Sequence, residues 1–490
     1  MSTPARVRFA PSPTGYLHIG GLRTALYNWF MARRTGGTFI LRIEDTDRTR
    51  LVEDATEKLV RSLQRCGIVP DEGVMLDDAG ALVEQGAHGP YIQSARRERH
   101  LAYAYELIEK GHAYYCFCTA EELDQMRTLQ TAAKQPVMYD RRCRALSREV
   151  AENRAAVGDP CVIRLKVPTE GSCTFDDLIR GRVEVPWAQV DDQVLIKSDG
   201  FPTYHLAAMC DDHDMEITHV IRAEEWISST PKHVFLFQAM GWQAPRFAHV
   251  PLLLNADRSK LSKRQGDVAV EDYLAKGYLP EAIVNFVAML GWNPTSDREI
   301  FTKEELGSLF DITKVNKSGA IFNLEKLEWL NGQYLRMMSE AEYLALAEPA
   351  LAEVVTDSAQ RTRAALLFRD RATRVQLLPE LVSPWMTPPA ADASTLVWKT
   401  QTNAEAHERL AAVRAWLADR EEVLFGSLVN LETQTKAWIA ERGWGNGEVL
   451  WPLRMALSGA KQSPSPFELL YLLGKAEGVN RIDAALACLA

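Results

Sequence analysis

Between residues 6 and 43 the sequence is compatible with little besides a βαβ unit. Residues 6–10 alternate, with Val7 and Phe9 on one face, which is the period of a short strand. Pro11, Pro13 and Gly15 then interrupt regular structure. Behind Gly20 and Gly21, the apolar residues Leu22, Ala25, Leu26, Trp29 and Phe30 recur at helical spacing, and Gly36 and Gly37 end that helix. Residues 38–43, with Phe39, Ile40, Leu41 and Ile43, read as a second strand. A strand, loop, helix and strand in this order predict a parallel sheet. Such sheets gather functional groups where strands end and helices begin.

The rest of the chain surrounds that nucleus. Residues 116–202 mix short strand-like runs with turns and predict an insertion with its own small sheet. Strand character returns at 216–221, and a helix follows at 231–240, where Pro231 suits a first helical position. From Pro280 the pattern turns helical, as in Ala282, Val284, Phe286, Val287 and Leu290. Residues 335–490 carry almost no strand signals and predict an all-helical region of two packed bundles. The chain has 490 residues, enough for roughly three domains. Its 47% apolar and 25% charged residues exclude a disordered or fibrous class.

No run of about 18 apolar residues is present, so no membrane span is expected. Residues 1–10 lack the apolar core of a secretory signal. The eight cysteines form no regular framework, and a cytoplasmic location is expected. A net charge of −9 removes any bulk attraction to nucleic acid. Local patches still matter, because screening acts over about 8 Å at physiological salt. One basic run holds Arg6, Arg8, Arg23, Arg33, Arg34, Arg42, Arg48 and Arg50 against Glu44, Asp45 and Asp47. Another holds Arg361, Arg363, Arg369, Arg371 and Arg374 around Asp370. From charge alone, each is equally a solvated helix face.

Two segments carry chemistry. Pro11-Ser12-Pro13-Thr14-Gly15-Tyr16-Leu17-His18-Ile19-Gly20-Gly21 joins strand to helix. A helix start offers unpaired N–H groups and a positive dipole end, which suit a phosphate. His18 stands there to donate to a phosphate oxygen, and Gly20 and Gly21 let a flat base come close. The plainer reading of His18 is a turn residue. The second segment, Lys260-Leu261-Ser262-Lys263-Arg264, packs three cations into five residues, which suits charge building up on phosphates. Its plainer reading is an exposed basic loop.

Together the two segments resemble class I aminoacyl-tRNA synthetases. His18-Ile19-Gly20-Gly21 is similar to the family's HIGH signature, with glycine in the last place, and Lys260-Leu261-Ser262-Lys263-Arg264 to its KMSKS signature. Arg8-Phe9-Ala10-Pro11-Ser12-Pro13-Thr14-Gly15 and Leu41-Arg42-Ile43-Glu44-Asp45-Thr46-Asp47-Arg48 resemble the glutamyl/glutaminyl branch. Asp199-Gly200-Phe201-Pro202-Thr203-Tyr204-His205-Leu206-Ala207, Thr218-His219-Val220-Ile221-Arg222-Ala223-Glu224-Glu225-Trp226, Phe322-Asn323-Leu324-Glu325-Lys326-Leu327 and Pro452-Leu453-Arg454-Met455-Ala456-Leu457-Ser458-Gly459 resemble the bacterial glutamyl members.

That resemblance implies an α/β fold: a Rossmann-type parallel-sheet catalytic core with an inserted α+β acceptor-binding domain, followed by an all-α tRNA-binding region. Its expected divisions are 1–110 and 200–255 for the core, 111–199 for the insertion, 256–330 for the lysine loop and stem-contact helices, and 331–490 for the anticodon-binding bundles. The implied reaction joins L-glutamate to tRNA-Glu through glutamyl-adenylate, using ATP and Mg²⁺. The expected assembly is a monomer. His18, Lys260 and Lys263 are the implied catalytic cations. Pro11, Thr14, Gly15, Gly20, Gly21, Glu225, Trp226, Leu261, Ser262 and Arg264 complete the implied ATP site. Arg8, Ala10, Ser12, Glu44, Tyr204 and Arg222 are the implied glutamate site, and fixed guanidinium groups suit a γ-carboxylate. Glu44 also reads as an ion-pair partner of Arg42 or Arg48. Ala208 stands where many relatives have asparagine. Arg369 and Arg371 fall where relatives read the anticodon.

Some relatives bind zinc in the insertion through Cys-x-Cys and a later cysteine. Cys116, Cys118 and Cys143 match, with Ala145 in place of a histidine and Tyr139 as the fourth candidate. Three free thiols are the other reading, and both stay open. Trp385, Trp398, Trp438, Trp444 and Trp451 are either stacking surfaces for bases or core. Four rivals remain. They are an enzyme that also charges tRNA-Gln, an inactive tRNA-binding paralogue, a glutamyl-queuosine-type enzyme, which would lack the long helical tail, and an HxGH-type nucleotidyltransferase unrelated to tRNA, which would be far smaller and leave the tail unexplained. Glutaminyl-tRNA synthetases have a β-rich anticodon region, which this tail does not resemble.

Overall fold

The computed structural model describes residues 3–261, 269–294, 297–390 and 392–489, which form two compact units, Met1–Leu327 and Glu328–Ala490. The first is built on an eight-stranded sheet. In spatial order its strands are Leu82–Gln85, Glu72–Leu76, Thr38–Leu41, Arg6–Phe9, His219–Ala223, Arg246–Val250, Ser172–Asp177 and Gly181–Pro186. All neighbours are parallel except the two outermost pairs. The expected βαβ unit opens the sheet: Arg6 to Phe9 pair in register with Thr38 to Leu41. The connecting helix, Ile19–Thr35, buries Leu22, Leu26 and Phe30, and Gly36 closes it at a left-handed φ of 64°. Glycine reaches that conformation without a Cβ penalty.

Chain order runs outward from Arg6–Phe9 to Glu72–Leu76 on one side and resumes with His219–Ala223 on the other. The reversal falls between Arg6–Phe9 and His219–Ala223. A crevice opens at such a switch point, outside the carboxyl ends of the strands.

Residues 116–202 divide their strands in a way that was not expected. Ala113–Cys116, Val162–Leu165 and Val194–Ile196 form the small antiparallel sheet. The hairpin Ser172–Asp177 and Gly181–Pro186 instead joins the main sheet beside Arg246–Val250. An open sheet edge is a liability, and the hairpin covers one.

Among its described residues the second unit is helical and contains no strand. In helix Asn403–Ala418 the buried residues are Ala406, Leu410, Val413 and Leu417, a stripe at helical spacing. They share a core with Leu453 and Leu457 of helix Asn446–Ser458 and Leu469 and Leu470 of helix Pro466–Leu489. Each such leucine contributes about 1.5–3 kcal/mol on burial. Four of the five tryptophans belong to this core, and Trp398 packs its ring 5.0 Å from that of Trp451. Trp438 is buried, and Trp385, Trp444 and Trp451 pack against the cluster. No helix among the described residues is long and apolar enough to cross a membrane.

Candidate active site

A cavity of about 1080 Å³ lies at the carboxyl ends of the strands, at the switch point. Its lining contains every described residue expected for the ATP and glutamate sites. Arg8, Ala10, Pro11, Ser12, Thr14, Gly15, His18, Gly20 and Gly21 come from the first strand, loop and helix start. Glu44 follows the second strand, and Tyr204 starts helix Tyr204–Asp214. Arg222, Glu225 and Trp226 lie on and just beyond His219–Ala223, and Lys260 and Leu261 close the wall. Ser262, Lys263 and Arg264 lie outside the described residues. Ala208 is fully buried and is not part of the lining.

His18 occupies the N-cap of helix Ile19–Thr35, and its Nδ1 accepts the Gly21 N–H at 2.9 Å. In the neutral ring that contact places the proton on Nε2, making Nε2 the donor. Buried Leu17 and Ile19 flank the exposed histidine and turn it toward the cavity. The glycines serve packing as well as access. A Cβ on Gly20 would lie 3.1 Å from the His18 ring, and one on Gly21 3.1 Å from Leu17.

The chain on either side of the lysine motif's undescribed part is pinned near this histidine. Leu261 N–H donates to Leu253 O at 2.9 Å, Ala269 bridges to His18, and Val270 N–H donates to Leu17 O at 2.8 Å. Lys260 pairs with Glu225 at the rim, where both are about half exposed.

The cavity floor is ionic but balanced. Arg8 donates to Asp212 at 2.8 Å, and Arg42 reaches both Asp212 and Glu44 at 2.9 Å. Burial works against the Arg42 charge, and Asp212 and Glu44 hold it in place. Two cations therefore meet two carboxylates. Glu44 does form the ion pair with Arg42 that the sequence allowed, and it lines the cavity as well.

Arg222 differs. It is 5% exposed, and it donates to Tyr204 Oη (3.2 Å), Thr230 Oγ1 (2.9 Å), His233 Nδ1 (3.0 Å) and His249 Nε2 (3.1 Å). Among the described residues no carboxylate lies within ion-pair distance of it. Burial pulls its pKa below the ordinary value, yet guanidinium stays charged in proteins. A buried cation held by neutral acceptors is a ready site for a carboxylate.

Asp212, Arg42, Thr230, His233 and His249 went unnoticed as site residues in the sequence. For Asp212 the available signal was the polar run Asp211 to Asp214, which follows the apolar stretch Leu206 to Cys210 in the same helix.

Outside the cavity, the four candidate metal ligands converge. The Cys116, Cys118 and Cys143 sulfurs lie within 4.8 Å of one another. Tyr139 Oη lies 3.3 Å from Cys116 Sγ and 3.4 Å from Cys118 Sγ, and Cys118 and Cys143 are 3.6 Å apart. Tetrahedral zinc with Zn–S of about 2.3 Å requires sulfurs about 3.8 Å apart, so this spacing fits. Burial raises the Cys116 thiol, but its hydrogen bonds with Tyr139, the Cys118 N–H and Arg164 outweigh burial and hold it below the ordinary value. Burial pushes Cys118 up to about 12.

In the second unit, Arg369 lies at the end of helix Leu324–Met337 and donates to the carbonyls of Leu335 (2.7 Å) and Arg336 (3.2 Å). Arg371 is more exposed and pairs with Glu468 at 2.5 Å.

Residues 4–329 match the family model for class I tRNA synthetases of the E and Q type, catalytic domain, and residues 341–486 match an anticodon binding domain. A glutamate–tRNA ligase from Clostridioides difficile is 53% identical over 348 residues, 71% of each chain. One from Prosthecochloris aestuarii is 43% identical across 98% of this chain and 97% of its own. The crystal structure of a glutamate tRNA ligase from Elizabethkingia meningosepticum in complex with its amino acid superposes with a TM-score of 0.88 at 37% identity, covering 99% of this chain and 100% of that one. With the parallel sheet, the switch-point cavity and these matches in agreement, the chain belongs to the class I tRNA synthetases of the glutamate and glutamine branch.

Proposed function

We propose that this chain ligates L-glutamate to the 3′-terminal adenosine of tRNA-Glu through glutamyl-adenylate, releasing AMP and pyrophosphate. One observation carries the reading: a single cavity holds both the Arg222 cation with its neutral partners and the His18-capped helix start. The first suits a side-chain carboxylate, and the second suits phosphates.

In the first step the glutamate α-carboxylate attacks the α-phosphate of ATP, and pyrophosphate leaves. Two anions must approach, so cations must screen them. His18 Nε2–H and the opening N–H groups of helix Ile19–Thr35 face the phosphates. Lys260 lies at the rim, and Lys263 follows it in sequence. Mg²⁺ when bound neutralises phosphate charge, and the phosphates themselves supply most of its oxygen ligands. Arg222, Arg8 and Tyr204 hold the γ-carboxylate end, while Ser12 and Glu44 meet the amino-acid backbone. The walls keep water from the mixed anhydride. In the second step the 2′-hydroxyl attacks the acyl carbon, and AMP leaves.

The tRNA reading assigns residues 111–199 and 256–330 to the acceptor end and stem, and 331–490 to the anticodon. There Arg371 is the better placed to meet a base, because Arg369 caps a helix. Zinc held by Cys116, Cys118, Tyr139 and Cys143 would brace the insertion. Metal analysis yielding about one zinc per chain supports that site, and its absence ends it. The proposed setting is a cytoplasmic monomer.

Charging transcripts of tRNA-Glu and tRNA-Gln with labelled glutamate tests the function. Glutamate on tRNA-Glu is expected. Charging of both widens the tRNA range. No charging, together with no ATP–pyrophosphate exchange in the presence of tRNA, refutes the proposal.

A further inference from the structure

The neutral partners of Arg222 are themselves held in defined protonation states by groups behind them. His249 turns Nδ1 to Asp177 Oδ2 at 2.6 Å and Nε2 to Arg222 Nε at 3.1 Å. Asp177 also accepts backbone N–H groups from Ile179 (2.9 Å), Arg180 (2.8 Å) and His249 (3.1 Å). Burial disfavours its charge, but these donors outweigh burial and keep its pKa below the usual range. An ionised Asp177 requires the His249 proton on Nδ1. The Nε2 lone pair is then available to Arg222.

His233 repeats the arrangement. Its Nδ1 faces the Arg222 donor at 3.0 Å, so its proton sits on Nε2, which reaches His205 Nδ1 at 3.0 Å. Burial, with Arg222, His205 and Lys232 nearby, holds His233 far below its ordinary pKa. Both rings therefore act on Arg222 as neutral acceptors. With Thr230 they engage the Nε and Nη2 edges of the guanidinium without cancelling its charge. A carboxylate in either place would satisfy the same hydrogen bonds and neutralise the cation.

We propose that His233 and His249 are positioning residues that fix Arg222 through uncharged acceptors, and thereby set the selection of a charged over an uncharged amino-acid side-chain terminus. Neither ring lines the cavity; both act through Arg222. The inference rests on the reading that Arg222 binds the side-chain carboxylate.

The test uses the full chain with tRNA and compares His233→Leu, His233→Asn and His233→Asp. Asparagine places an uncharged oxygen near the Nδ1 position, and aspartate places a charged one there. His233→Leu is expected to raise the glutamate KM at least about tenfold with the ATP KM within about twofold, and His233→Asn to restore most of the loss. His233→Asp is expected to lower the kcat/KM ratio for glutamate over glutamine at least about tenfold relative to His233→Asn. Asp177→Asn, remote from substrate, is expected to raise the glutamate KM by freeing the His249 tautomer. If the leucine variant does not fold, the asparagine–aspartate comparison decides alone. Equal discrimination by those two, or equal rises in both Michaelis constants, overturns the inference. Arg222→Ala separates the two levels. An unchanged glutamate KM there removes the underlying reading, whereas a raised one beside an inert His233 removes this inference only.

Discussion

Asp212→Asn probes the ionic floor beneath the cavity. The Asp212 side chain is fully buried and serves two arginines, Arg8 at 2.8 Å and Arg42 at 2.9 Å. With Glu44 on Arg42, the four groups balance. Asparagine keeps one acceptor oxygen but removes the charge, and it turns an N–H₂ toward the second Arg8 donor, now 3.3 Å from Oδ2. Two buried guanidinium groups would then share one carboxylate. Removing one partner of a buried pair costs about 3–5 kcal/mol, and the retained oxygen places this case near 3. For a unit larger than about 250 residues, each kcal/mol moves the melting midpoint by about 2 °C, so a drop of about 6 °C is expected. Differential scanning calorimetry of the full chain reads it. Arg8 loses its tether in the same step, so the glutamate KM should rise while the ATP KM stays. A midpoint lowered by less than about 1 °C, with an unchanged glutamate KM, would refute this charge balance.

His18→Ala removes both the cap acceptor for Gly21 N–H and the Nε2 donor, and ATP–pyrophosphate exchange should fall about 100-fold or more. His18→Asn keeps a cap acceptor, so it should recover the roughly 1 kcal/mol of helix stability without the rate; recovery of both would leave Nε2 without a catalytic part. Leu410→Ala opens the second unit's core and should cost about 2–5 kcal/mol in urea unfolding while sparing amino-acid activation; a loss below about 0.5 kcal/mol would contradict the packing. Burial lowers His205 from 6.5 to about 4, so the unfolded chain binds a proton between those values that the folded chain refuses. Stability is therefore whole above pH 6.5 and falls as pH drops toward 4, by an amount on the order of 3 kcal/mol. His205→Gln should flatten that part of the stability–pH curve, and an unchanged slope would assign it elsewhere.

Local patterns revealed the elements but not their partners. The helix after Gly21 and the glycine that ends it were legible, because the apolar period and the left-handed cap are local properties. The stripe at Ala406, Leu410, Val413 and Leu417 declares a helix in the same way. The pairing of hairpin 172–186 with the main sheet was not legible, since its register depends on an edge some 70 residues away. The motif residues were visible as types in order, and their convergence on one cavity awaited the fold.

The sequence alone determined the βαβ opening, the helical tail and the two cation-bearing segments, because each depends on neighbours within one or two turns of chain. Only the tertiary structure decided that Arg8 is balanced by Asp212 while Arg222 meets neutral histidines. Electrostatic compensation depends on separation in space and on burial, and Arg8 and Asp212 stand 204 residues apart in the chain.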